Sequence, residues 1–179
     1  MTDGKRLADP RPAVRALPRH SAVIIRHYDD PDRARLARDI IALCRARQNL
    51  VLIAGDARLA LALGADGLHL PEAQLARGPA HWRLWQSPGK LLSVAAHSPQ
   101  ALAGAAKAGA DFALLSPIFP SPSHPQGPAI GVHRFAAWTT QARLPVYALG
   151  GMNADNERRV LVAGATGWAA IAGLSGNKV

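Results

Sequence analysis

The chain has 179 residues, of which 49% are hydrophobic and 18% charged, with one cysteine and a formal net charge of +9. That length and balance exclude a disordered chain and allow one domain with a sizeable core. No apolar run approaches the roughly 20 residues of a membrane-spanning helix, and a lone Cys44 excludes an intramolecular disulfide framework and fits a reducing cytoplasm.

The opening segment, MTDGKRLADPRPAVRALP, has neither the apolar core nor the cleavage pattern of a secretory signal. Met1-Thr2-Asp3 reads as the very end of a first strand. Strands are predicted over 22–26, 50–54, 67–70, 91–95, 112–116, 145–149 and 168–172. Most are continuous apolar runs, as parallel strands covered on both faces require. Helices are predicted between them over 31–47, 57–63, 99–108, 132–141 and 154–163. In the first of these, Leu36, Ala37, Ile40, Ile41 and Cys44 form an apolar stripe, with Asp30 as its N-cap and Pro31 at the first helical position. Cys44 on that stripe reads as buried filler rather than a nucleophile. Trp82 and Trp85 fall in a short linker helix and read as packing residues.

An internal repeat sets the architecture. GADGLHL from Gly64, GADFALLS from Gly109 and GATGWAAIAG from Gly164 each place a glycine where a helix should end, followed by a strand. The alternation predicts a (β/α)8 barrel, truncated at its first strand and last helix, with a doubly wound open sheet as the other arrangement. It is one domain: residues 1–20 a partial first unit, 21–174 the core, 175–179 a tail. Core edges exposed by an incomplete barrel would favour a homodimer.

Barrel sites lie at the C-terminal ends of the strands. That selects Arg26, Tyr28, Asp56, His69, Glu72, His97, Ser116, the 121–124 loop, Gly150-Gly151, and Ala172. Two glycines after PVYAL allow backbone N–H groups to approach an anion, as a phosphate site requires. The Ser/Pro-rich loop after 112–116 offers hydroxyls, and Arg26 suits bidentate contact to phosphate or carboxylate. His69 and His97 lie on different strands without metal-ligand spacing, so a histidine metal site is not favoured. The arginines Arg33, Arg35, Arg38, Arg45 and Arg47 are scattered along a helix with no nucleic-acid motif, so neither nucleic acid nor membrane is expected as a partner.

In GADGLHL, SVAAHS, AGADFALLSPIFPSPS, PVYALGGM and GATGWAAIA, taken in order, the chain resembles the thiamine phosphate synthase and thiazole tautomerase family from Ala22 to about Leu174. The resemblance implies a cytoplasmic (β/α)8 barrel of thiamine biosynthesis. The synthase joins a pyrimidine diphosphate to a thiazole phosphate and releases pyrophosphate with Mg²⁺ assistance. Carried onto this chain, the thiazole-phosphate site comprises Ser121, Ser123, Gly150, Gly151, Ile171 and Ala172. Of the family's Gln-x-Arg-x-Lys, Arg26 is present, with Ile24 and Tyr28 in the other places, and the loop lysine is His124. Arg26 and His124 would hold the diphosphate. The family's Asn-Asp pair reads Ala54-Gly55, with Asp56 one place later, and its second metal carboxylate falls at Gln74, with Glu72 nearby. Asp56 and Glu72 would therefore place Mg²⁺. The serine before the family histidine is Ala95, and the tautomerase's catalytic histidine corresponds to Pro117. Two functions follow: a synthase that requires Mg²⁺ and binds thiazole or thiamine phosphate, or a catalytically degenerate paralogue that binds a phosphorylated ligand or regulates.

Overall fold

A computed structural model describes residues 1–85, 88–121 and 128–171. Strands β1 (Ala22–Ile25), β2 (Leu50–Ala54), β3 (Gly67–Leu70), β4 (Leu91–Ala96), β5 (Phe112–Leu115), β6 (Val146–Leu149) and β7 (Gly167–Ala169) form one parallel sheet in chain order. Helices α1 (Arg11–Ala16), α2 (Arg33–Arg45), α3 (Ala57–Ala62), α4 (Glu72–Ala76), α5 (Pro99–Lys107), α6 (Gly131–Gln141) and α7 (Glu157–Val162) connect them. Among the described residues, β1 and β7 do not pair with each other. Instead, Thr2 donates its N–H to Ile24 O at 2.9 Å, and the Met1 nitrogen donates to Ala170 O at 2.6 Å. Met1 and Thr2 thus form a two-residue stub that bridges both edges of a curled, barrel-like sheet.

Strand parity divides the core into two. Ile24, Leu52, Ala54 and Leu114 point inward and pack with Met1, Phe112, Tyr147 and Leu149. Val23, Ile25, Val51, Ile53, Ala113 and Leu115 point outward against the helices. Side chains alternate across a strand, so registered neighbours share a face. Ala54 pairs with His69, His69 with Ser93, and Ser93 with Phe112, which puts His69 and Ser93 on the inward layer.

The repeat has a mechanical explanation. After α3, α5 and α7, the glycines Gly64, Gly109 and Gly164 adopt φ of 62°, 74° and 94°. The alanine after each donates back to the carbonyl of Ala60, Ala105 or Val160. This six-to-one bond closes a helix end that only glycine enters without strain. The next residue ties the new strand to its neighbour: Asp66 Oδ2 accepts from Val51 N at 2.8 Å, and Asp111 Oδ2 from Leu92 N at 2.7 Å. Asp111→Ala is expected to orphan the Leu92 N–H and cost about 1–3 kcal/mol in urea unfolding; an unchanged midpoint would show that the tie is idle.

Some boundaries differ from the sequence reading. Helix α2 begins at Arg33, and Asp30 instead accepts from Asp32 N at 2.8 Å, forming a local turn rather than a cap. Helices α1 and α4, of six and five residues, are too short to show a helical period and were not predicted. Three arginines of α2 and the turn after it bind backbone carbonyls: Arg33 donates to Ala54 O, Arg45 to Gly64 O, and Arg47 to Leu17 O. Cys44 is fully buried, and burial pushes its thiol up to about 11, as packing filler should behave. Trp82 and Trp85 are buried, Trp85 Nε1 donating to Leu91 O at 2.8 Å.

Candidate functional site

A cavity of about 750 Å³ opens at the C-terminal ends of the strands. Arg26 and Tyr28 reach it from the end of β1, His69 and Glu72 from β3, and Ala95 and His97 from β4. Ser116 and Ser121 enter from the loop after β5, Gly150 and Gly151 after β6, and Ile171 after β7. The structure therefore brings Arg26, Glu72, Ser121, Gly150, Gly151 and Ile171 together. Ser123, His124 and Ala172 lie outside the described residues.

The glycine pair is shaped by contact as well as by conformation. Gly150 and Gly151 have φ of 93° and 63°. A Cβ on Gly150 would stand 2.7 Å from Pro117 Cα, and one on Gly151 would stand 2.6 Å from Pro120 O. Ile118 N and Phe119 N donate to Leu149 O and Gly150 O, lacing the β5 loop onto this turn. Asn156 Nδ2 donates to Gly151 O at 2.8 Å. Among the described residues the N–H groups of Gly150 and Gly151 donate to nothing, so they remain available to an anion in the cavity.

His69 forms the cavity floor. It is 2% exposed, and its Nδ1 lies 2.9 Å from Ser93 Oγ. Its Nε2 has no hydrogen-bond partner among the described residues. Burial, reinforced by the positive charge of Arg26, lowers its pKa to about 3, so the ring is neutral. His97 Nδ1 lies 2.8 Å from Ser116 O, a carbonyl that can only accept, so this nitrogen carries the proton. The His97 main-chain N–H donates to Glu72 Oε2 at 2.9 Å, and Ser98 caps α5 by accepting from Ala101 N. Tyr28, beside Arg26 and Arg33, has its hydroxyl pKa raised by burial against the opposing pull of those cations.

The strap after the N-terminal stub supplies three residues that the sequence reading did not place in the site: Asp3, Lys5 and Arg6. Asp3 accepts from Lys5 N, Arg6 N and Arg6 Nη2, and Arg26 Nη2 stands 4.0 Å from the same carboxylate. Burial pulls the Asp3 carboxyl upward, but the Arg6 hydrogen bonds and charge hold it below its ordinary range. The Asp-Gly-Lys-Arg turn was the available signal, and its meaning depends on the barrel closing.

Asp56 and Glu72 do not meet in the cavity. Asp56 Oδ1 caps α3, accepting from Leu59 N at 2.9 Å, and the residue lines a separate 290 Å³ recess with Arg58, Gln74 and Arg77. Glu72 faces the main cavity with one oxygen engaged by His97 N. Mg²⁺ wants a near-octahedral oxygen set with one or two carboxylates on the same ion. This pair does not provide it, and among the described residues no three His, Cys, Asp or Glu side chains group as metal ligands.

Residues 12–174 match the family model for thiamine monophosphate synthase. The chain belongs to the thiamine monophosphate synthase family. It is 36% identical over 146 residues to a Geobacter sulfurreducens protein provisionally named a thiamine-phosphate synthase, covering 77% of this chain and 68% of that protein. It is 30% identical over 173 residues to the thiamine-phosphate synthase of Thioalkalivibrio sulfidiphilus, covering 94% and 81%. The fold matches thiamine phosphate pyrophosphorylase from Pyrococcus furiosus at a TM-score of 0.76 and 24% identity, covering 99% of this chain and 86% of that one. Membership makes this a protein of thiamine biosynthesis, with the parallel barrel-like fold of that family. The family binds phosphorylated substrates and is in general Mg²⁺-dependent. Among the described residues no helix is long and apolar enough to cross a membrane.

Proposed function

We propose that this chain is a cytoplasmic thiamine-phosphate synthase, joining a pyrimidine diphosphate to a thiazole phosphate. The observation that carries the reading is the single cavity onto which Arg26, neutral His69, Ser121 and the Gly150-Gly151 turn all open. Its relatives' names favour this over a degenerate paralogue.

In this reading the phosphate of the thiazole sits at the β5–β7 ends, against the Gly150 and Gly151 N–H groups, Ser121 and the Ile171 backbone. Charge-assisted bonds from fixed backbone dipoles suit a dianion there. Arg26, at the end of β1, faces the diphosphate. His69 Nε2 offers the cavity floor one neutral hydrogen-bonding nitrogen for a heteroaromatic ring. The thiazole nitrogen lone pair forms the new C–N bond at the pyrimidine's methylene carbon. The C–O bond to the diphosphate breaks, and its electron pair leaves with pyrophosphate. No side chain has to accept a proton, so the protein's work is to align the two rings and stabilise the departing anion.

The test is product formation. Protein mixed with both substrates should yield thiamine phosphate, followed as its oxidised fluorescent derivative, with Mg²⁺ present and with EDTA. Ser121→Ala is expected to raise KM for thiazole phosphate several-fold. No turnover above background from folded protein under either condition overturns the synthase reading.

A further inference from the structure

The 290 Å³ recess beside α3 and α4 shares no lining residue with the main cavity. Gly55 is the wall between them. A Cβ there would stand 3.2 Å from Tyr28 Cε1, which belongs to the cavity, and 3.1 Å from Gln74 Nε2, which belongs to the recess. Gln74 Nε2 donates to Gly55 O at 3.1 Å and so ties α4 to the end of β2. The recess is therefore a separate compartment, built by two short helices and the strand end that joins them.

Its charge is unbalanced. Arg58, the second residue of α3, and Arg77, at the C-terminal end of α4, both line it. Both are exposed, and among the described residues neither forms an ion pair or a hydrogen bond. Asp56 is the carboxylate of the recess, and it is already engaged. Its Oδ1 accepts from Leu59 N at 2.9 Å, and its charge supports the Arg33 guanidinium against the burial that lowers the Arg33 pKa. Glu72 faces the main cavity instead, with one oxygen held by His97 N. No other acid is near in the chain, which has no Asp or Glu from residue 57 to 65 or from 73 to 110. The 3-10 turn Arg83–Trp85, which packs against α3, adds a further cation. Arg33, Arg58 and Arg77 against Asp56 leave a surplus of two positive charges. Beside them Leu61, 45% exposed, joins Ala57 and Ala80 as an apolar side of the recess.

We propose that this recess is a second ligand site, which binds a phosphate monoester with its phosphate on Arg58 and Arg77 and its apolar body against Leu61, Ala57 and Ala80. The two unpaired guanidinium groups offer planar forks of donors to phosphate oxygens. Their charge equals that of the dianion, the main form at neutral pH of a phosphate whose second pKa is about 6. The same surplus opposes a divalent cation on Asp56. The exposed Leu61 beside the arginines favours an ester over the free inorganic ion, because the ester removes apolar surface from water as it binds. The site stands apart from the synthase reading, since none of its residues lines the cavity given to that reaction.

The experiment is an NMR titration with phenyl phosphate in EDTA, reading the Nε–H signals of Arg58 and Arg77 and the methyl signals of Leu61. All three should move together along one saturable curve, and added salt should weaken it. Arg58→Gln and Arg77→Gln assign the two Nε–H signals, and each should weaken binding about three- to fivefold, the scale of one exposed charge pair. The double variant should leave the Leu61 methyls unmoved. Both side chains are exposed, and urea unfolding checks that the variants fold. Inorganic phosphate should move the arginine signals without moving Leu61, and benzoate, with the same ring and one charge, should bind more weakly. Ser121→Ala should leave the Leu61 curve unchanged, because Ser121 lies in the other compartment. Leu61 shifts that are equal in wild type and the double variant, or shifts confined to Gly150 and Gly151, overturn the proposal even if coupling is observed. A saturable Leu61 curve lost in the double variant upholds the site, even if coupling fails and the synthase reading falls.

Discussion

Gly151→Val is expected to lower stability by about 3–5 kcal/mol, through overpacking added to left-handed strain. The Gly151 φ is 63°, and a Cβ there would meet Pro120 O at 2.6 Å and Phe119 Cβ at 2.7 Å. Neither is the free end of a flexible side chain. Phe119 N and Ile118 N are bonded back onto the same turn, so the loop cannot withdraw without losing those bonds. Gly78 is the control that separates the two causes. Its φ is 91° but nothing lies within 4 Å of its would-be Cβ, so Gly78→Ala should cost only the strain, about 1–2 kcal/mol. Urea unfolding of both variants tests this, and similar losses would show that close approach to the loop contributes nothing. The glycine pair thus serves the fold as much as any ligand. Loss of phosphate binding in G151V cannot by itself identify an anion site, whereas Ser121→Ala and Lys5→Ala can report on the cavity without collapsing the turn.

The repeat shows why so much of the barrel could be read from the chain. Gly64, Gly109 and Gly164 each encode a helix end and a strand start within three residues, a local signal that no tertiary contact overrides. All seven strands lie where the apolar runs predict them, within one residue at each end except β7, which ends at Ala169 rather than Ala172. Arg26, Ser121, Gly150, Gly151 and Ile171 were legible for the same reason, because strand ends in a barrel converge. His69 was selected with them as a strand-end residue, and its registry with Ala54 and Ser93 sets it on the inward face. Two features were not legible. The separation of Asp56 from Glu72 depends on Asp56 turning to cap a six-residue helix, a local hydrogen bond that competes with any metal. Lys5 and Arg6 reach the cavity only because Thr2 bonds across to β1, a contact between residues 22 apart in the chain.

Acid should expose the cost of the buried imidazole. The folded His69 pKa is about 3 against an ordinary 6.5, because burial and then Arg26 oppose its positive form. The unfolded chain therefore binds the proton more readily than the folded one below pH 6.5. Above that pH neither state carries the charge and His69 has no effect on the pH dependence. Between about 6.5 and 3 the penalty grows by about 1.4 kcal/mol per pH unit, reaching on the order of 4–5 kcal/mol. At pH 4.5 the wild-type protein should have lost about 2–3 kcal/mol from this residue alone. The comparison is His69→Asn, which keeps a polar atom near Ser93 Oγ and cannot titrate. Subtracting its urea-unfolding curve from wild type at pH 7.5 and 4.5 removes the contribution of every other acid group. Equal pH slopes in the two proteins would mean that the ring is solvated when folded, and the cavity floor would then be wet rather than dry. A shallower slope in the variant locates a neutral, desolvated imidazole beneath Arg26, where it can hydrogen-bond a ring without competing for the anion. The same replacement should then weaken ligand binding at pH 7.5, where His69 titration contributes nothing to stability.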